Sequence, residues 1–208
     1  MNRYAKPVPE FSRLEKCLFD HSKTFKLAGQ HSVFGEVFEE EQFALLLQTG
    51  TLAIHRQQDD LLMEIVSAPY IFGINAGMMG CSTEYKLITH SPCTGFYLPA
   101  ATARTLIQQA GLWREAFCWL SWHHRVMEIR DKQLVGNNSY SQIRSTLLDM
   151  AQWDETLRMR VGVMNYIQRR TRISRSVVAE VLAALRQGNY INMVRGKLVS
   201  INRLPAEY

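Results

Sequence analysis

The sequence predicts an α+β chain in which a strand-rich N-terminal part is followed by a long helix and a basic, helical C-terminal part. Three observations support this order. Residues 23–98 contain short apolar runs separated by turn-forming residues, and residues 112–134 contain almost no helix breaker. Residues 137–208 carry 11 Lys and Arg against 5 Asp and Glu, whereas residues 1–136 carry 13 against 14. The excess positive charge therefore lies in the C-terminal part, which indicates either a polyanionic partner, most often nucleic acid, or a solvated basic face, and charge alone favours neither.

Length and composition are those of an ordinary globular protein. With 208 residues, 47% hydrophobic and 21% charged, the chain fits one large domain or two small ones. We expect a cytoplasmic protein without membrane contact, because we find no signal peptide at the N-terminus and no run of eighteen apolar residues. Four cysteines without a C-x-x-C pair predict buried thiols and no metal site.

The strand region predicts a β-sandwich or barrel preceded by a short helix at residues 8–20. "TLAIHR" and "LLMEIV" flank the turn at residues 57–60 and predict a hairpin. "KLIT" and "GFYLP" continue the series of strands, and "ATARTLIQQAG" predicts a helix that ends at Gly111.

The long helix has apolar residues spaced alternately by four and three. This heptad spacing predicts a dimer seam, which we favour over a helix packed only on its own strand domain. The predicted seam consists of Trp113, Phe117, Leu120, His124, Met127 and Leu134, with Asp131 at the remaining position.

The C-terminal part predicts helix, helix, turn, helix and hairpin, which is the order of a winged helix-turn-helix. Asn138 or Ser139 caps the first helix, and residues 157–172 are predicted as one basic helical stretch. The turn lies at residues 171–173, and Gly188 ends the next helix. The buried face of that helix is predicted to hold Val177, Val178, Val181, Leu182 and Leu185.

The start of this third helix carries the residue types that a DNA-binding helix needs. Arginine makes the commonest specific contact with a base, and hydroxyls and backbone N–H groups at a helix N-terminus suit phosphate. We predict DNA contacts from Arg172, Ser174, Arg175 and Ser176 at this end, and phosphate contacts from Arg169, Arg170, Arg195 and Lys197.

The segment "ISRSVVAEVLAALRQGNYINMVRGKLVSIN" resembles the winged helix-turn-helix of the Crp/Fnr superfamily of bacterial transcription regulators. "FALLLQTGTLAIHRQQDDLLMEIVSAPYIFGI" resembles the β-roll of the same superfamily, with Gly50 and Phe72-Gly73 at its turns. The resemblance implies a cyclic-nucleotide-binding-like β-roll, a jelly roll, over residues 1–110, a dimerisation helix over 111–136, and a DNA-binding domain over 137–208. It also implies base contacts from Arg175, Ser176 and Glu180.

Within the superfamily, the chain is most similar to enterobacterial winged-helix regulators named for hydrogen peroxide resistance, which implies a connection to oxidative stress.

Three departures from the superfamily pattern matter. Gln168 and Arg172 stand where the turn favours small residues and glycine, which suggests a looser turn or an added DNA contact. "FGINAGMMGCST" lacks the acid and the arginine that hold a cyclic phosphate, so cyclic AMP is not expected. Only Cys17 lies near the N-terminus, so no iron–sulfur cluster is expected.

The segment 69–83 combines glycines with adaptable apolar side chains. It predicts either a roll packed shut, which we favour, or a pocket for an apolar ligand such as an acyl chain. The candidate pocket residues are Tyr70, Phe72, Met78, Met79 and Cys81. Two further interpretations are weaker: peroxide sensing by Cys81 and Cys93, and metal binding by the adjacent His123 and His124.

Together these patterns predict a homodimeric transcription regulator that binds double-stranded DNA at a pseudo-palindromic operator, with RNA polymerase as a further candidate partner. The alternative is a ligand-binding β-roll protein that takes an apolar ligand, such as a fatty acid, and acts through a protein partner. We do not expect an enzyme, since no catalytic constellation is found in the sequence.

Overall fold

The computed structural model describes residues 5–29, 42–79 and 84–206. The chain divides into two compact units. The first comprises Met1–Asp59 with Met63–Val126, and the second comprises Asp60–Leu62 with Met127–Tyr208. The division falls inside the long helix, whereas the sequence resemblance placed domain limits at residues 110 and 136.

The first unit is a two-sheet β-roll flanked by helices. Its described strands are β1 (Lys23–Leu27), β2 (Phe43–Thr49), β3 (Thr51–Arg56), β4 (Leu62–Ser67), β5 (Tyr70–Phe72), β6 (Tyr85–Thr89) and β7 (Cys93–Pro99). One sheet has the strand order β1-β7-β2-β5 and the other the order β4-β3-β6. Strands β3 and β4 are neighbours in the second sheet, as the predicted hairpin requires. The helices of this part are α1 (Val8–Leu18), α2 (Ala76–Met79) and α3 (Ala100–Gln109), followed by α4 (Trp113–Leu134).

Strand β2 lies at the centre of the core. Its residues 43–47 are all buried, which fits a continuous apolar run in a strand that is covered on both faces. Leucines of β2, β3 and β6 share one apolar cluster with Leu14 of α1, Ile107 of α3 and Trp119 of α4. Apolar side chains of these three helices therefore contribute to the core of the roll.

Glycine is required where β2 turns into β3. Gly50 has a φ of +94°, and a Cβ at this position would collide with the carbonyl oxygen of Pro92 and the Sγ of Cys93. A side chain at residue 50 would separate β2 and β3 from the loop before β7.

The second unit contains a winged helix-turn-helix. After the end of α4 come α5 (Ser139–Ala151), α6 (Glu155–Arg160), α7 (Val163–Thr171), α8 (Arg175–Gln187), β8 (Ile191–Val194) and β9 (Lys197–Ile201). Strands β8 and β9 pair antiparallel around Arg195 and Gly196, which confirms the predicted hairpin. Asn138 caps α5 by accepting a hydrogen bond of 2.8 Å from the backbone N–H of Ser141.

The prediction of one helical stretch over residues 157–172 is wrong. Helix α6 ends at Arg160 and α7 begins at Val163, because Val161 and Gly162 adopt extended backbone. The backbone N–H of Val163 donates to the carbonyl of Gly196 at 3.0 Å. The hairpin thus provides an acceptor for an N–H group that a continuous helix would have directed to its own carbonyl.

Gly188 does end α8, as predicted, but it is not the residue in the left-handed conformation. Its φ is −75°, and the following Asn189 has a φ of 56°. Asparagine is one of the few residues with a side chain that tolerates this region.

Among the described residues, no helix is both long and apolar enough to cross a bilayer.

Candidate nucleic-acid interface

Helix α8 has one buried face and one exposed face. Val178, Val181, Leu182 and Leu185 are buried, each at most 6% exposed, and they lie on a single stripe of the helix. Val177, which the sequence placed with them, is half-buried. The helix is therefore fixed to the unit along one side, and its other side is left to solvent.

The residues predicted to contact bases lie on or beside the exposed side of α8. Arg175, Ser176 and Glu180 are all exposed. The spacing of four, three and four residues from Ser176 through Glu180 continues this face to Ala183 and Gln187, which are also exposed. These last two positions are not among the contacts predicted from the sequence, although the helical period identifies them.

Ser174 begins α8 as its N-cap. Its Oγ accepts a hydrogen bond of 3.4 Å from the backbone N–H of Val177 and lies 3.1 Å from the Oγ of Ser176. The first N–H groups of a helix have no acceptor within it and carry the positive end of the helix dipole, so this end of α8 favours an anion. Ser174 therefore supports the helix as well as being a candidate DNA contact.

The turn between α7 and α8 is tight, in spite of its unusual sequence. Arg172 adopts the left-handed conformation with φ 65° and ψ 10°, and its backbone N–H donates to the carbonyl of Gln168 at 2.9 Å. The Oγ1 of Thr171 accepts a hydrogen bond of 3.2 Å from the N–H of Ile173. The arginine thus takes the conformation that glycine would take, and its exposed side chain lies beside the start of α8.

Polar side chains of α7 continue the surface of the turn. One cleft of the second unit is lined by Asp60, Arg169, Arg172, Ile173 and Ser174, together with Asn165 and Gln168. The amides of these last two residues can donate to phosphate or to base edges. Neither residue is among the contacts predicted from the sequence.

The wing presents one cation freely and anchors the other. Arg195 is exposed at the hairpin tip, with a φ of 49°. The amino group of Lys197 donates a short hydrogen bond to the carbonyl oxygen of Arg160, so this side chain is directed to the C-terminal end of α6. Of the two predicted wing cations, Arg195 has the freer position for contact with phosphate.

Arg170 must be removed from the predicted phosphate contacts. Arg170 is only 6% exposed, and its Nη2 lies 3.2 Å from Oδ2 of Asp149. Its neighbour Arg169 is exposed. Successive residues of a helix point about 100° apart, so Arg169 can face solvent while Arg170 points into the unit.

The predicted seam of α4 is exposed at some positions and half-buried at others, and Leu120 packs against the apolar core of the first unit. Phe117 is 71% exposed, Trp113 is 41% exposed, and His124 is exposed as well. Leu120, Met127 and Leu134 are half-buried. Single exposed apolar side chains are common on protein surfaces, whereas a contiguous exposed apolar patch can mark an interaction site.

The opposite side of the first part of α4 is packed. Trp119 is 1% exposed, and its Nε1 donates to the carbonyl of Ile71 at 3.0 Å. The ring of Tyr70 packs edge-on against Trp119, with the ring centroids 5.7 Å apart. The helix therefore has a filled apolar side and a largely unfilled one within the single chain.

The candidate effector residues do not share one environment. Tyr70 is 1% exposed inside the core, whereas Met79 is 77% exposed. Phe72 and Met78 are half-buried, and Cys81 lies outside the described residues. The pocket for an apolar ligand stays a prediction. The burial of Tyr70 favours the alternative, a roll whose interior is packed around this residue.

Two thiols have raised pKa values. Burial raises the pKa of Cys93 and of Cys17, although the hydroxyl of Ser91 and backbone groups oppose the effect at Cys93. A thiol that stays protonated at neutral pH is a weak nucleophile toward peroxide.

Among the described residues, no group of three His, Cys, Asp or Glu side chains is arranged to hold a metal ion.

Comparisons with known proteins agree with this geometry. A family model described as winged helix-turn-helix DNA binding matches residues 139–206. The chain is 52% identical to proteins named inhibitor of hydrogen peroxide resistance from Salmonella typhimurium, over 204 residues, and from Escherichia coli K12, over 205 residues. Each alignment covers 98% of both chains.

Solved structures show the same fold at low identity. The c-di-GMP-responsive global regulator CLP of Xanthomonas campestris aligns with a TM-score of 0.74 and 15% identity, covering 92% of this chain and 99% of that one. A transcriptional regulator of the Crp/Fnr family from Eubacterium rectale aligns with a TM-score of 0.67 and 13% identity, covering 92% and 90%. The chain therefore belongs to the inhibitor of hydrogen peroxide resistance family, and its fold combines a Crp/Fnr-type β-roll with a winged helix-turn-helix DNA-binding domain.

Proposed function

We propose that the chain is a homodimeric transcription regulator that binds a pseudo-palindromic operator with two copies of α8. The observation that carries the proposal is the division of α8: one side is buried in its unit, while Arg175, Ser176 and Glu180 are exposed at the other. A helix held in this way can enter the major groove with its N-terminal residues toward the base edges. Two such helices in one dimer would contact half-sites about one helical turn apart.

The exposed seam on α4 supports the dimer. Trp113 and Phe117 present aromatic surface to solvent in the single chain, and aromatic residues are enriched in the cores of protein interfaces. Pairing α4 with its copy would remove this surface from water.

Exposed cations support the contact with the DNA backbone. Arg169, Arg172 and Arg195 lie on α7, in the turn and at the wing tip, and all three are exposed. Cations that neutralise phosphates release counterions, so the affinity should fall steeply as the salt concentration rises.

The replacement of Arg175 by alanine tests base contact. We expect Arg175→Ala to cost about 1–3 kcal/mol at one base position of a selected operator and to relax the preference there. Binding is measured by fluorescence anisotropy on the operator, on its single-base variants and on random DNA, at two salt concentrations. The matched control is Arg186→Ala, which removes an exposed cation from the last turn of the same helix. Equal losses on operator and random DNA would count against a base contact by Arg175.

The name shared by the curated relatives suggests the regulated process. We infer that the genes under this regulator affect survival in hydrogen peroxide, and that loss of the protein raises survival. A deletion strain is complemented with the wild-type chain or with Arg175→Ala, and survival is counted after exposure to peroxide. We expect the wild type to restore sensitivity and the variant to fail at equal protein level. Unchanged survival after deletion would exclude this role.

A further inference from the structure

Three side chains form a partly buried polar cluster where helices α4, α5 and α7 meet, and the most buried of them is Arg170. Nη2 of Arg170 lies 3.2 Å from Oδ2 of Asp149 and 3.4 Å from Oε1 of Gln133. Nε2 of Gln133 donates in turn to Oδ1 of Asp149 at 3.2 Å. Each of the three residues therefore bonds to the other two, and the ring of Tyr166 lies 5.9 Å below the guanidinium carbon.

The guanidinium of Arg170 and the carboxylate of Asp149 are held together inside the unit. The side chains of Arg170 and Asp149 are 7% and 17% exposed, and an arginine at this exposure could reach a phosphate only by leaving its carboxylate buried. Breaking such a pair is strongly unfavourable. Arg170 thus contributes its positive charge to the interior of the unit and not to its surface.

The position of the cluster in the chain gives it a particular consequence. Arg170 is in the last turn of α7, two residues before Arg172, where the backbone turns toward α8. Asp149 is near the end of α5, and Gln133 is next to the last residue of α4. The three bonds therefore fix the end of α7 against two other helices immediately before the turn that sets the direction of α8.

We propose that the cluster of Gln133, Asp149 and Arg170 positions the recognition helix, and that operator selectivity depends on it although none of its members touches DNA. A hydrogen-bonded ion pair is directional, so it favours one arrangement of α7 over the nearby ones that an apolar contact would also allow. An apolar cluster of similar volume would hold the helices together at least as strongly but would specify their angle less sharply. The proposal rests on the proposed DNA binding.

Arg169 and Arg170 provide a matched pair for the test, because they are adjacent and only the first is exposed. The full-length wild type, Arg170→Met and Arg169→Met are titrated on an operator that the wild type selects from random DNA and on a random duplex, over a series of salt concentrations. For Arg170→Met we expect the ratio of specific to random affinity to fall about tenfold, as for the loss of one base contact, with the salt dependence unchanged. For Arg169→Met we expect both affinities to fall together and the salt slope to decrease by about 0.9.

A double variant separates positioning from folding. Arg170→Met with Asp149→Leu removes both charges, so no buried carboxylate is left unpaired, and we expect the fold to be retained in circular dichroism. The proposal predicts that this folded variant still has reduced selectivity at the same temperature. Wild-type selectivity in the folded double variant would overturn the proposal, as would a smaller salt slope for Arg170→Met like that of Arg169→Met. A wild type that selects no DNA sequence would instead overturn the proposed function itself.

Discussion

At the scale of single residues, the turn before α8 shows how an unfavoured side chain is accommodated. Arg172 has a φ of 65°, a region in which a residue with a Cβ is strained. The strain is small enough for tertiary contacts to impose, of the order of 1 kcal/mol. The structure thus keeps the sharp turn and adds an exposed cation beside the DNA-facing helix.

Replacing Arg172 by glycine tests this division between backbone and side chain. Glycine relieves the left-handed strain but increases the entropy of the unfolded chain, so we expect Arg172→Gly to change the free energy of unfolding by less than about 1 kcal/mol. We also expect a smaller salt dependence of DNA binding, because one cation is lost. Chemical denaturation and salt titration measure the two effects separately. A large loss of stability would mean that the guanidinium of Arg172 supports the fold.

At the scale of elements, an ion pair connects α1 to α4 in the first unit. Nη1 of Arg13 lies 2.7 Å from Oε1 of Glu115, whose side chain is 8% exposed. The hydrogen bond from Arg13 is the largest of the causes that hold the pKa of Glu115 below its ordinary value of 4.5. Because the carboxylate is favoured by folding, its contribution is complete above the pKa of the unfolded state and is lost as the pH falls through the lower pKa of the folded state.

Acid unfolding should therefore report on this pair. We expect the thermal midpoint of the wild type to fall as the pH is lowered through the pKa of Glu115, and Glu115→Gln to show a weaker dependence over the same interval. The midpoint is followed by circular dichroism from pH 6 to about pH 3, within which carboxylates titrate. Arg13→Ala should also flatten the curve, since it removes the cause of the shift. An equal pH dependence in all three proteins would argue against a contribution from the pair.

At the scale of the whole molecule, the exposed side of α4 should decide the oligomeric state. Phe117 is 71% exposed in the single chain. If the seam pairs with its copy, Phe117→Glu places two carboxylates in an apolar contact. We then expect the Kd of the dimer to rise at least about tenfold. Sedimentation velocity over a concentration series measures the change. Gln108→Glu, an acid introduced at an exposed position of α3, should leave the distribution unchanged.

DNA binding provides a second readout for the same variant. A monomer presents one α8 to one half-site, so Phe117→Glu should bind a full operator with the affinity of a half-site. Wild-type mass and wild-type operator affinity for Phe117→Glu would show that the seam is not the interface.

Local patterns determined most of what the sequence revealed. The apolar period of α8, the cap at Asn138 and the hairpin after α8 depend on residues within a few positions of one another, and all three are present in the structure. The same holds for the strands that flank residues 57–60. Short-range sterics and hydrogen bonding act on neighbours in the chain, so a single sequence contains the information.

Only the tertiary structure decided features that depend on distant partners. Arg169 and Arg170 are equivalent in sequence, but the partner of Arg170 is Asp149, 21 residues away, and burial follows from that pairing. Val163 begins a new helix because its N–H group meets the carbonyl of Gly196 in the hairpin. The sequence by itself determined that a basic, capped helix with one apolar face precedes a hairpin. The tertiary structure decided which arginines remain outside, because a charge is buried only where folding brings an opposite charge and hydrogen-bond partners to it.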